Sequence, residues 1–328
     1  MKIMKKRTRN MLMTASLIVI GFASCDKKDD VPLPPINGYN NSNEVAAANL
    51  KAHWTFDGTL NEGISSTALS ASLRTSFVAG IKGQGVALDS GYILYPTITA
   101  LNTSPSNLTM SVWVYTQNQG TGSRPTGVFG YTLGAAQTDW NDGPLLISLE
   151  NGRPTTYNDT LVLKANITTV RAGITLKGDN INDFGTRETD FKTVKGANKW
   201  VQIVARYDGV GSFIDIFANG VLVSNNNFRY RYTGTIPTEV GFGPMNLPAG
   251  AQTKILFGGY PNTTNGFPSS PLQGFQGLFR GNMDEARIYN KALTQDEISA
   301  LYQLELAGRS FSLYNKTELI FSSVLSLL

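Results

Sequence analysis

From Leu50 onward, apolar and polar positions alternate in short runs broken by Gly, Asn and Pro. A period of two sends successive side chains to opposite faces, so each run predicts a strand with one buried face. Leu50 to Phe56 sets Ala52, Trp54 and Phe56 on one face. Leu108, Met110, Val112 and Val114 alternate with Thr109, Ser111, Trp113 and Tyr115. Trp200 to Tyr207 forms a strand, Asp208-Gly209-Val210-Gly211 a turn, and Phe213 to Phe217 the return. Asn219-Gly220 suits a type I′ hairpin, whose central residues both need positive φ, and Val221 to Val223 completes a three-strand meander. Ile255 to Phe257 and Ala286 to Tyr289 are further strands. One helix stands out. Thr294 and Glu297 form a capping box, Ile298, Leu301 and Tyr302 an apolar stripe, and Gly308 the stop. Short strands with regular turn signals predict an all-β sandwich, with Trp54, Phe56 and Trp200 in its core.

Ahead of this body the pattern changes. Residues 1–10 are basic, residues 11–23 are apolar but too short to cross a bilayer, and Ala23-Ser24 precede the single cysteine, Cys25. The layout is a secretory signal, and around Cys25 it resembles a bacterial lipobox, which implies cleavage after Ser24 and lipidation of Cys25. The charged run Asp26 to Asp30 is similar to the surface-export tag of Bacteroidota lipoproteins. Pro32, Pro34, Pro35 and an Asn/Ser-rich stretch follow and read as a tether. The expected organisation is a signal peptide over 1–24, a tether over 25–49, one domain over 50–307 and an extension of unassigned role over 308–328. The expected location is the outer membrane, lipid-anchored and facing outward.

Charge changes meaning once the signal is set aside. The chain has 28 Lys+Arg against 24 Asp+Glu. Lys2, Lys5, Lys6, Arg7 and Arg9 account for five of the basic residues, and without them 23 face 24. A near-neutral mature chain gives no basic surface for nucleic acid. One Cys excludes a disulfide framework, and one His excludes a histidine-rich metal centre.

Six blocks in order resemble the laminin-G-like, concanavalin A-like lectin/glucanase superfamily: Trp54 to Glu62, Gly83 to Asp89, Leu108 to Tyr115, Lys199 to Val201 with Tyr207 to Gly209, Asn219-Gly220, and Met283 to Leu293. The resemblance implies a jelly-roll sandwich of two antiparallel sheets. It also implies a structural Ca²⁺ joining the turn after the first strand to the last strand, at the matching positions Asp57 and Asp284. Most of residues 117–198 lies outside these blocks and is expected to be an insertion of loops carrying specificity.

Fold alone does not fix activity here. Superfamily hydrolases resembling laminarinases carry Glu-x-Asp-x-x-Glu on one strand, and no such spacing occurs; Asp215 stands alone in its strand. His53 on the first strand lacks a nucleophile motif and reads as a satisfied strand residue. Sugar recognition needs aromatic rings for C–H faces and amides or charges for hydroxyls. Trp140, in the polar loop Thr138 to Gly143, and Arg229-Tyr230-Arg231-Tyr232, with both rings on one strand face, are the candidates, with Tyr131 and Tyr260 behind them. The expected function is a non-catalytic glycan-binding lipoprotein capturing oligo- or polysaccharide, alongside partner proteins of a glycan-uptake system. The alternatives are an adhesion or protein-interaction module, and a hydrolase with dispersed carboxylates.

Overall fold

The structure is a computed structural model that describes residues 33–118, 123–150, 159–182 and 192–308. Cys25, the signal segment and residues 309–328 lie outside the described residues. The strands are β1 (Leu50–Trp54), β2 (Ala71–Ala79), β3 (Gln84–Tyr95), β4 (Leu108–Thr116), β5 (Thr126–Thr132), β6 (Leu145–Leu149), β7 (Leu163–Arg171), β8 (Ile174–Ile181), β9 (Trp200–Asp208), β10 (Phe213–Ala218), β11 (Val221–Leu222), β12 (Tyr232–Thr233), β13 (Val240–Gly241), β14 (Lys254–Phe257) and β15 (Phe279–Tyr289). The helix α1 spans Gln295–Leu306.

Thirteen strands join in one curled antiparallel sheet, ordered β11-β10-β9-β4-β15-β3-β14-β5-β6-β7-β8, with β1 on β15 and β2 on β3. The two layers of the expected sandwich are present, and β3 joins them into one continuous ladder. β3 has 12 residues, enough to serve both layers. Val86 to Gly91 pairs with β15, and Ile93 to Tyr95 pairs with β14. The ladder thus passes from one layer to the other, and β10 comes to lie against β7 and β8. Between the layers, Trp54 and Phe56 are buried as expected. Trp54 meets Phe257 edge-on at 5.2 Å, and Phe257 stacks on Phe129 at 4.4 Å.

The segment 117–198 is not an insertion of loops. It supplies β5, β6, β7 and β8, most of the second layer. Every residue of β5 and β6 is buried, so these strands show no polar alternation to betray them. Trp200 also departs from expectation. It is half-buried on the outer face, meeting Tyr115 at 5.9 Å.

The capping box at Thr294 forms as the sequence predicts, and α1 packs on the outer face of the first layer. Ile298, Leu301 and Leu304 share a cluster with Val204, Phe217 and Tyr289, and Val45 is buried in the same cluster. The tether reading over 25–49 therefore gives way at its C-terminal end. Asn43 Oδ1 and Ser42 Oγ accept hydrogen bonds from Arg287 at 2.9 and 3.1 Å, which ties this segment to β15.

β15 carries a bulge against β4 between Asp284 and Arg287, with Glu285 at φ 45°. An extra residue re-aims the side chains on either side of it. Here it sends Glu285 to His53 and leaves Asp284 against the segment Gly80 to Gly85.

Candidate functional site

Trp140 sits in the loop between β5 and β6, and that loop is held by its own acids. Asp142 Oδ2 accepts from the Thr138 and Asp139 amides at 2.9 and 2.6 Å, and Asp142 Oδ1 pairs with Lys177 at 2.6 Å. Burial raises the Asp142 pKa, but the Lys177 ammonium and the Thr138 donors outweigh it, so the net direction is down. Asp139 Oδ1 accepts from Gln273 Nε2 at 2.9 Å, which docks the loop between β14 and β15 alongside. The half-buried Trp140 ring meets Tyr260 edge-on at 5.3 Å and Phe275 at 5.5 Å. Lys164 Nζ lies 6.0 Å from the same ring.

Beside this aromatic cluster, the outer faces of β6, β7 and β8 present polar side chains. Ser148 is opposite Lys164, Asn166 opposite Asp179, and Thr168 opposite Lys177. Lys164 bridges Glu150 and Asp179, at 3.4 Å to each. Three polar atoms here are buried and make no hydrogen bond among the described residues: Ser148 Oγ, Asn166 Oδ1 and Gln276 Nε2. Each such unpartnered buried atom costs about 1–3 kcal/mol. The structure thus gathers an aromatic rim, two amides, a lysine and carboxylates. Sequence reasoning found Trp140 and Tyr260 but not Lys164, Asn166, Lys177 or Gln276. The alternation of Lys164, Asn166 and Thr168 with Leu163, Ala165 and Ile167 was the available signal.

The other candidates separate. Arg229 Nε pairs with Asp215 Oδ1 at 2.5 Å, and Arg206 Nη2 with Asp215 Oδ2 at 2.5 Å, so Asp215 is a buried structural anion and Arg229 is committed to it. Arg231 Nε lies against Gly178, where an added Cβ would fall 2.6 Å away. Tyr230 and Tyr232 stack on each other at 5.3 Å, and Tyr230 also meets Phe213. Tyr131 is buried in the core, its hydroxyl donating to the Leu101 carbonyl. His53 donates Nε2–H to Glu285 at 2.8 Å; burial and the Arg287 charge lower its pKa to about 4.

Asp57 and Asp284 come to one place, the segment Gly80 to Gly85. Asp57 Oδ1 accepts from the Gln84 amide at 2.7 Å, and Asp284 Oδ2 from the Lys82 amide at 3.1 Å. Asp284 is buried, and among the described residues no cationic side chain pairs with it. Burial, with the Glu285 and Asp57 charges, pushes its pKa up to about 8. A buried carboxylate facing a second one is a donor set that suits a hard cation. Among the described residues no group of three or more His, Cys, Asp or Glu side chains is placed to hold a metal, so backbone carbonyls and water would complete the shell.

No curated protein matches the sequence. Among solved structures, domain 4 of AbnA, a GH43 extracellular arabinanase from Geobacillus stearothermophilus, in complex with arabinotriose, is similar at 19% identity over 78% of this chain and 98% of that one, with a TM-score of 0.45. The binding domain of Botulinum Neurotoxin DC in complex with SialylT is similar at 12% identity over 80% of this chain, with a TM-score of 0.48, and this chain covers 52% of it. The serotype D ligand binding domain in complex with N-acetylneuraminic acid gives 12% identity over 79% of this chain and 52% of that one, with a TM-score of 0.46. Residues 88–299 match the laminin-G-type family model described as the concanavalin A-like lectin/glucanases superfamily, and the curled antiparallel sheet with one C-terminal helix agrees, so the chain belongs to that family.

Proposed function

We propose that this protein binds carbohydrate without cleaving it, at the outer face of β5 to β8 around Trp140, and is held at the outer membrane through a lipid on Cys25. The observation that carries the reading is the half-buried Trp140 indole set beside the Lys164 and Lys177 side chains on the polar outer face of β7 and β8. Trp140 offers a face to sugar C–H groups, and Lys164, Lys177 and the carboxylates paired with them address hydroxyls. A Ca²⁺ held by Asp57 and Asp284 would brace β15 to the Gly80 to Gly85 segment. It would neutralise two carboxylates there and take no part in contacting sugar at Trp140.

The test is glycan-array binding by the full chain and by Trp140→Ala. Binding that falls about tenfold or more in the variant supports the reading; a variant that binds like the parent overturns it. One observation favours a second reading, hydrolysis. Glu150 and Asp179 lie on either side of Lys164, close to Trp140. Their oxygens engage an ammonium group rather than an open gap between them, which suits binding better than acid–base chemistry. Release of reducing sugar that is lost in Glu150→Gln would establish catalysis.

A further inference from the structure

A concavity of about 400 Å³ opens on the outer face of the layer opposite Trp140. Its position follows from register. Ser76, Ala87, Asn282, Tyr115 and Trp200 form one continuous row across β2, β3, β15, β4 and β9. The neighbouring row, with Asp284, Trp113 and Gln202, is covered. Trp113 stacks under Tyr302 of α1 at 5.5 Å, and Trp113 and Gln202 both donate to Glu305. The helix stops one row short, so Tyr115 is the first uncovered aromatic on β4, at 37% exposure. It meets Trp200 at 5.9 Å with the rings inclined by 63°.

The rest of the lining is mostly polar, with Ala87 and Leu88 as its apolar part. The side-chain amides of Gln117 and Asn282 make no hydrogen bond within the described protein. Asp89 and Arg280 pair at 3.2 Å, both well exposed, so the groove carries one charge of each sign and no net charge. Nothing in the core calls for two adjacent aromatics on an uncovered face. Aromatic rings beside free amides and a balanced ion pair match a ligand of apolar C–H faces and hydroxyl rims without charge, and the volume falls within the roughly 300–1,000 Å³ of ligand sites. An anion or cation would be recognised by charge of one sign, which this lining lacks.

We infer that this groove is a second binding site, for neutral oligosaccharide, with Tyr115 as the stacking ring, Trp200 supporting it from beside the groove, and Gln117, Asn282, Asp89 and Arg280 as hydroxyl partners. It lies on the opposite layer from Trp140, so one molecule can engage a polysaccharide at two faces, and linking two sites strengthens binding to a repeating chain beyond either alone. The inference stands on its own residues and does not require the Trp140 site.

The experiment is native affinity electrophoresis of the full-length protein, purified in detergent, through gels containing β-glucan, xylan, arabinan, galactan or mannan. On the polysaccharide that retards the parent, Tyr115→Ala should weaken binding about tenfold, both alone and in a Trp140→Ala background. Asn282→Ala, which removes a side chain with no intramolecular partner, should weaken it about threefold and guards against loss of fold as the cause. Retardation lost in Trp140→Ala and untouched by Tyr115→Ala and Asn282→Ala overturns the second site alone. Retardation lost in Tyr115→Ala and untouched by Trp140→Ala upholds the groove and removes the Trp140 reading. A parent retarded by none of the five overturns both.

Discussion

Arg287→Met tests how the first layer, the helix and the Pro35–Asn49 segment are held together. Arg287 is fully buried. Its Nε donates to Glu305 Oε1 at 2.7 Å and its Nη2 to Glu285 Oε2 at 2.7 Å, and Asn43 and Ser42 take its remaining reach. Methionine preserves much of the stem but removes the charge. Glu285 keeps Lys82 Nζ at 2.6 Å and His53, so its charge stays compensated. Glu305, whose pKa burial already pushes up, keeps only neutral donors, Trp113 Nε1 at 2.7 Å and Gln202 Nε2 at 3.0 Å, and must either stay an uncompensated buried anion or take up a proton. Breaking a buried pair in this way costs about 3–5 kcal/mol. At roughly 2–4 °C per kcal/mol for a domain of this size, Tm should drop by about 10 °C. The sharper readout is the sign of a second change. Glu305→Gln alone leaves Arg287 with one anion fewer and should destabilise. In the Arg287→Met background it removes the stranded charge while its amide oxygen still accepts from Trp113 and Gln202, so it should restore about 1–3 kcal/mol. Urea unfolding of the four proteins closes the cycle. A loss under about 1 kcal/mol for Arg287→Met, or the same sign for Glu305→Gln in both backgrounds, would refute the reasoning.

Other outcomes follow from the same chemistry. If Asp57 and Asp284 hold Ca²⁺, saturating calcium should raise Tm by several degrees, EDTA should reverse it, and Asp284→Ala should respond to neither; a parent indifferent to EDTA defeats the cation proposal. His53 has a folded pKa of about 4 against 6.5 in the unfolded chain, so between these values the unfolded state binds the extra proton. The His53 contribution to stability therefore declines by about 3 kcal/mol as pH falls from about 6.5 to 4, while Asp284, with its pKa raised to about 8, pulls the opposite way, so the readout is a difference: His53→Gln should gain stability relative to the parent between pH 7 and pH 5 in urea unfolding, and a constant gap between the two would defeat the assignment. Gly83 has φ +63°, and an added Cβ would sit 2.1 Å from Asp57 Oδ1, whereas Gly173 has φ +77° and open space. Gly173→Ala should cost about 1 kcal/mol for backbone alone and Gly83→Ala clearly more; equal losses would mean that Asp57 does not press on that turn.

The chain's own order determined the strands that alternate. Leu108 to Thr116 and Trp200 to Asp208 have one face against the core and one face elsewhere, and period two records that division directly. The Asn219-Gly220 turn, at φ 50° and 77°, and the Thr294 capping box were equally legible, because each depends on residues within a few positions. β5 and β6 were not, since burial on both sides erases alternation and local sequence cannot separate such strands from any other apolar run. The candidate sites divide along the same line. Trp140 was visible as an indole in a polar loop. Its partners come from β7, β8 and the loop after β14, and only tertiary packing placed Lys164, Asn166 and Gln276 beside it. The exposure of Tyr115 and Trp200 is likewise invisible along the chain: the same alternating face is covered at Trp113 and bare at Tyr115, because α1 ends one row earlier. Sequence periodicity states which residues share a face, and only the packing of distant elements decides which part of that face meets water.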